Sequence, residues 1–357
     1  MPIREESFRI GSGRYVQKSG AITELGAEVL KLGKRPLIIG GKTALNITRE
    51  KITNSVSICE KYEIIEHIGT CNHNDANRLG GYATDNGFDV IVGVGGGVIM
   101  DFAKLISNYA ALPVINVPTS SATCAAYTPL SVCYTESGQT VGTTHFTKEV
   151  DAVVVDTEIL LAQPPRLFIS GVFDAAAKYL EIKQRFNDDC PLGLDWAYVL
   201  AKESYKQLTD NVSKCTSDMQ NGVLSREFER AVFTTICVTG VISGIARGSN
   251  QCALAHKFYE ITRKMFFEEG KPYLHGEIVG VGLLLQNYFN GEKECNGFLL
   301  ELMQKFGLPQ GVSSLGIALT NDTKKVYYDM IKKSSAIDEN NADELERLSK
   351  SLNFLWE

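Results

Sequence analysis

Two of the five histidines, His256 in ALAHKFY and His275 in YLHGEIV, stand 19 residues apart in a region of helical spacing. Asp174, in SGVFDAAAKYLEI, interrupts an otherwise apolar helical stretch, where a lone buried carboxylate is costly and needs a partner. One carboxylate and two imidazoles make a three-ligand set with open positions for substrate, which suits catalytic Zn²⁺ or Fe²⁺. The spacing is not that of H-E-x-x-H. An aspartate near a helix start and two ordinary histidines fit the same residues, so spacing alone leaves both readings open.

A second candidate is the turn GVGGGVIMDFAKL, residues 93–105. Three glycines between an apolar run and a helical stretch let backbone N–H groups approach an anion with no Cβ in the way. Asp101 and Lys104 lie three apart on one face of the following helix, so that Lys104 can touch a phosphate or ribose while Asp101 orients it. The turn matches neither the G-x-G-x-x-G of a first βα unit nor a P-loop ending in G-K-[ST]. Glycines kept for packing are the alternative. The segment VPTSSATCAAYTPLSVCYT (117–135) adds seven Ser and Thr hydroxyls, which can bond a nicotinamide amide and ribose or stand in a solvated loop.

These residues need elements to hold them. Short apolar runs alternate with helical segments in the first 160 residues. PLIIGG (36–41), YEIIEHI (62–68), FDVIVGV (88–94), PVINVP (113–118), LSVCYT (130–135) and DAVVVD (151–156) read as strands. Helices are expected over about 43–57 and 74–87, the latter with Asn74 as N-cap. That alternation implies a mostly parallel, Rossmann-like sheet covered on both faces. After Pro164 and Pro165 the pattern turns helical, as in 229–246 and 275–289. The expected division is therefore an α/β domain over 1–163 and an all-α domain over 164–357, with a loosely attached end from about Ser334.

Bulk properties narrow the function. A formal net charge of −6 over 357 residues, with no basic block, argues against a nucleic-acid partner. MPIREESFRI lacks an apolar h-region, so no signal peptide is expected, and no uninterrupted apolar run approaches a membrane span. Nine scattered cysteines, odd in number and without C-x-x-C, read as free thiols in a cytoplasmic setting.

Taken together, GVGGGxxxDxAK, VPTSSAT…LSVCYT, DAVVVDTEILLAQPPRLFISGVFDAAAKYLE and LAHKFY…LHGE resemble the iron-containing alcohol dehydrogenase superfamily. The likeness is to its glycerol dehydrogenase branch and the related hydroxycarboxylate dehydrogenases, and runs from about Ile10 to about Asn287. It implies the fold shared with dehydroquinate synthase, with an active site in the cleft between the two domains. It places the metal ligands on Asp174, His256 and His275, with zinc or iron as the metal. The pyrophosphate loop falls on Gly95, Gly96 and Gly97, backed by Asp101 and Lys104. Contacts to the cofactor's ribose and nicotinamide fall on Thr119, Ser120, Thr128, Leu130 and Tyr134.

Two departures from the pattern bear on specificity. NAD-preferring members carry an Asp after the first strand, whereas this chain has Gly41 and then Lys42, which favours NADP over NAD. Glycerol dehydrogenases carry a substrate-side Asp where this chain has Cys124. Lys178, one turn after Asp174, and Arg247, nine residues before His256, add cations. Losing an anion and gaining cations points to a carboxylate-bearing substrate. The alternatives are solvated side chains or, for Lys178, a helix-surface pair with Glu181. The expected activity is a metal-dependent, NAD(P)-linked interconversion of a 2-hydroxy acid and its carbonyl compound, in a homo-oligomer. Glycerol oxidation with NAD is the alternative. A dehydroquinate synthase-like lyase needs more basic residues than are present, and an intact triad disfavours a non-catalytic cofactor-binding protein.

Overall fold

The computed structural model describes residues 8, 10–187 and 189–357, so the stretch read for a signal peptide lies largely outside the described residues. Among the described residues there are eight strands: β1 (Tyr15–Lys18), β2 (Pro36–Gly41), β3 (Glu63–His67), β4 (Val90–Gly95), β5 (Val114–Pro118), β6 (Leu130–Tyr134), β7 (Thr140–His145) and β8 (Ala152–Asp156). Six form one sheet in the order β1-β8-β5-β4-β2-β3, every pair parallel. The central strands β4, β5 and β8 are buried throughout, the pattern of a parallel sheet covered on both faces. Val90, Val92, Val94, Ile115, Val117 and Val154 form its core with Ile52 and Val56 of the helix Lys42–Val56.

The order has one consequence for function. From β2 the chain first adds β3 on one side and then returns to place β4 on the other. The strand order therefore reverses between β2 and β4, and ligands of open α/β sheets bind beyond the carboxyl ends at such a point. Gly41 ends β2 and Gly95 ends β4.

Several expectations are corrected. LSVCYT does not join the sheet. Its strand β6 pairs antiparallel with β7 in a separate hairpin, and it buries only alternate residues, Ser131 and Cys133. The second helix is His73–Asp85, and its N-cap is Asn72, whose side chain accepts from the Asp75 amide, rather than Asn74. The end of the chain is not loosely attached. The helix Ala342–Trp356 packs against His275–Phe289 and buries Leu348, Leu352 and Leu355. By length and composition Arg226–Ala246 does reach what a membrane span requires, with mean hydropathy 1.4 and 56% of the window buried, a test that packed core helices also meet.

The chain forms two compact units. One holds residues 10–164 with Asn211–Val241, and the other Pro165–Asp210 with Ile242–Glu357. Residues 211–241 thus group with the sheet rather than with the remaining helices. In the helical unit, Pro165–Arg185, Leu254–Met265 and His275–Phe289 pack on one another. Two glycines allow the close approach. A Cβ on Gly276 would lie 1.9 Å from the Ser170 carbonyl oxygen, and one on Gly282 would lie 2.7 Å from that of Ala255.

Candidate active site

The helix Pro165–Arg185 carries Asp174, Lys178 and Glu181 at i, i+4 and i+7, on one face of an otherwise apolar buried segment. His256 is the third residue of Leu254–Met265, and His275 is the first residue of His275–Phe289. Packing of these three helices brings the ligand atoms of Asp174, His256 and His275 within 4.8 Å of one another. Asp174 Oδ1 is 3.3 Å from His256 Nε2 and 3.5 Å from His275 Nε2. The donor types and their closeness fit a divalent cation such as zinc or iron.

The electrostatics agree with that fit. Burial alone would push the Asp174 carboxyl up, but Lys178 and hydrogen bonds from both histidines hold it well below its ordinary range. Burial likewise opposes ionisation of Glu181, and His256 and Lys178 outweigh it, so its pKa is lowered. Burial pulls the His256 imidazole down while Glu181 pushes it up, with a net rise well above its ordinary value. His275 is lowered, mainly by burial. With both imidazoles neutral, as metal ligands must be, two carboxylates, one ammonium and a divalent cation would sum to one positive charge.

Lys178 is 5% exposed, with Nζ 3.8 Å from Asp174 Oδ1 and 3.5 Å from His256 Nε2. It is neither solvated nor paired at the surface with Glu181, which is itself fully buried. The ammonium therefore stands beside the ligand set. Arg247 is exposed in a turn with φ 59°, and among the described residues no hydrogen bond or ion pair joins it to the triad.

In the sheet unit, Gly96 is the N-cap of the helix Gly97–Ala110 and provides no side-chain cap. A Cβ on Gly95 would lie 2.8 Å from Ile99 Cβ, so packing demands that glycine. At Gly96, with φ −83°, no protein atom lies within 4 Å of the Cβ position. Among the described residues nothing packs against that position, so the backbone at the helix start is open. On Gly97 a Cβ would meet Thr123 Oγ1 at 3.2 Å. The Thr119 amide bonds the Gly95 carbonyl at 2.9 Å, and Ser120 Oγ accepts from the Ala122 amide, so 119–120 adjoin the glycine turn. Gly41 Cβ would touch only Ile99, at 3.5 Å, and Lys42 is exposed at the start of its helix.

Lys104 corrects an expectation. Its ammonium donates to the carbonyls of Ala125 (2.7 Å), Thr128 (2.9 Å) and Leu130, and pairs with Asp101 at 2.9 Å. At 2% exposure with its donors engaged, it anchors the 125–130 segment rather than reaching a phosphate. Asp101 does orient it, and also accepts from the Val132 amide. Burial pushes the Asp101 carboxyl up, against the pull of Lys104. Thr128 and Leu130 are thus gathered at this anchor. Tyr134 ends β6, about 13 Å further along, with its amide on the Cys71 carbonyl. Cys124 is buried, and its carbonyl accepts from Tyr127 and Thr128.

Four further residues support the triad, of which the sequence reading considered only Glu181, and that as a surface partner of Lys178. Glu181 bonds His256, Tyr259 packs edge-on against the His275 ring at 4.2 Å, and Arg166 clamps Glu277, whose Oε2 accepts from Leu274 just before His275. For Glu181 a signal exists in the sequence, an acid at i+7 from Asp174 within an apolar helix.

Residues 12–157 match the profile of iron-containing alcohol dehydrogenase. The chain is 29% identical over 294 residues to hydroxycarboxylate dehydrogenase A of Escherichia coli (strain K12), covering 81% of this chain and 80% of that one. It is 30% identical over 314 residues to a glycerol dehydrogenase of Citrobacter freundii, covering 85% and 84%. Glycerol dehydrogenase from Schizosaccharomyces pombe superposes with a TM-score of 0.82 at 22% identity, over 99% of this chain and 92% of that one, which establishes the fold.

Proposed function

Because the chain belongs to the iron-containing alcohol dehydrogenase family, we propose that it is a metal-dependent, NADP(H)-linked dehydrogenase interconverting a 2-hydroxy acid and its 2-oxo acid. Asp174, His256 and His275 would hold the cation, a zinc or iron ion by the donor types. When bound, the cation supplies Lewis acidity toward the carbonyl oxygen. The nicotinamide supplies the hydride. Residues in 1–163 serve the dinucleotide, with Gly96 offering clear backbone to the pyrophosphate and Thr119, Ser120, Thr128, Leu130 and Tyr134 lining its ribose and nicotinamide. Gly41 and Lys42 leave room and a positive charge for a 2′-phosphate. Residues in 164–357 hold the cation and substrate. The nine cysteines, all free thiols, favour a cytoplasmic location.

One observation carries the choice of substrate: the buried ammonium of Lys178, 3.5 Å and 3.8 Å from two ligand atoms. There it pairs with a substrate carboxylate and fixes the neighbouring carbonyl beside the ligand set, in a site where burial strengthens the attraction. Arg247, exposed nearby in sequence, acts as an outer cation for the incoming anion. Glycerol oxidation with NAD is the second reading, favoured by the glycerol dehydrogenase relative at 30% identity.

The test is a panel of 2-oxo acids, neutral aldehydes and dihydroxyacetone with NADPH and NADH, for wild type and Lys178→Met. Losing one partner of a buried charge pair costs about 2–4 kcal/mol, or roughly 30- to 1000-fold in kcat/KM. That loss is expected for 2-oxo acids, with neutral carbonyls changed about threefold or less. Equal losses on both classes, or dihydroxyacetone as the best wild-type substrate, overturn the carboxylate reading.

A further inference from the structure

We propose that Glu181 is the positioning residue that fixes both the tautomer of His256 and the start of the helix carrying it, so that His256 Nε2 faces the cation as a free lone pair. This rests on the metal centre proposed above. The helix Leu254–Met265 begins at Ala253, which offers no side-chain cap. Its first amides are capped from other helices instead. Glu181 Oε1 accepts from Ala253 N at 2.7 Å and from His256 N at 2.8 Å, and Gln286 Oε1 accepts from Leu254 N at 2.9 Å. A carboxylate in that place also faces the positive end of the helix.

The other oxygen of the same carboxylate, Oε2, pairs with His256 Nδ1. A carboxylate only accepts, so Nδ1 carries the hydrogen in every protonation state, which leaves Nε2 as the nitrogen available to a cation. Nε2 is the atom 3.3 Å from Asp174 Oδ1. Glu181 is fully buried, which removes water as a substitute acceptor. One side chain therefore sets the height of the helix start, the rotation of the ring and the tautomer. Outer partners of this kind alter metal affinity 10- to 100-fold.

Glu181→Gln separates these roles. Its Oε1 can keep both amide bonds, but its NH₂ group then meets Nδ1 and drives the hydrogen onto Nε2, closing the metal-facing position. The experiment titrates metal-stripped protein with Zn²⁺ against a chelator of known affinity, alongside thermal melting of the stripped protein. Glu181→Gln is expected to bind Zn²⁺ 10- to 100-fold more weakly while melting close to wild type. Affinity within threefold of wild type overturns the proposal. Should Glu181→Gln not fold, Glu181→Asp keeps the carboxylate but withdraws it by one methylene, and the same threshold applies.

Two controls separate this from failure of the metal centre. His275→Ala is expected to lose Zn²⁺, and if it binds like wild type the centre itself is misassigned. Cys252 offers a ligand atom close to those of Glu181 and His256. If Cys252→Ser weakens Zn²⁺ binding and His275→Ala does not, Glu181 is a ligand and not a positioning residue.

Discussion

Gly41→Asp should convert the nucleotide preference, and the surrounding structure permits the change. Gly41 has φ −74° and ψ 150°, an extended conformation open to any residue, and its Cβ would meet only Ile99 at 3.5 and 3.8 Å, ordinary contact distances. It is also the N-cap of Lys42–Val56 and now gives no side-chain bond to that helix. An aspartate there adds a cap worth a few tenths of a kcal/mol over glycine, so stability should hold or rise slightly. Toward the cofactor, a carboxylate accepting ribose hydroxyls contributes about 1.5–3 kcal/mol, roughly 10- to 150-fold in favour of NADH. Against a 2′-phosphate it adds repulsion. At about 5 Å and an effective dielectric of 20 this is near 3 kcal/mol per charge pair, discounted to about 1 kcal/mol for an exposed site in salt. The NADPH-to-NADH ratio of kcat/KM should therefore fall at least about 70-fold. The assay measures both cofactors against one substrate, with urea denaturation to establish that the variant is folded. A folded variant whose ratio moves less than threefold would show that position 41 does not face the adenosine ribose.

Lys104→Met should destabilise the protein by about 3–5 kcal/mol in urea denaturation, because it leaves Asp101 buried beside an apolar side chain and releases three carbonyls of the 125–130 segment. Nucleotide affinity should fall with it, and a loss under 1 kcal/mol would contradict the anchoring role. Leu352→Ala should cost about 2–5 kcal/mol, since Leu352 is buried in the terminal helix, whereas a loosely attached tail would lose almost nothing.

The central strands could be read from sequence because burial on both faces makes them continuous apolar runs, as in VIVGVG of β4. β1 and β7 could not. YVQK is a four-residue edge strand, and TVGTTH is almost wholly exposed, so neither carries an apolar pattern. LSVCY reads as a sheet strand by composition. Its buried residues are a serine and a cysteine, a signal of one-sided burial that hydrophobicity hides. In the metal centre, Asp174 was visible as an acid within an apolar helix. The two histidines lie 82 and 101 residues further on, and only packing at Gly276 and Gly282 brings them near. The role of Lys104 was hidden for a different reason, since its acceptors are main-chain carbonyls and any sequence supplies those.

Removing the metal and returning it bears on the whole reading at once. Protein stripped by chelator should fail to oxidise NADPH with a 2-oxo acid, and Zn²⁺ or Fe²⁺ should restore wild type but not His275→Ala, while both bind NADPH alike. Full activity in the stripped wild type, or restoration of His275→Ala to the same rate, would contradict a metal-dependent dehydrogenase centred on Asp174, His256 and His275.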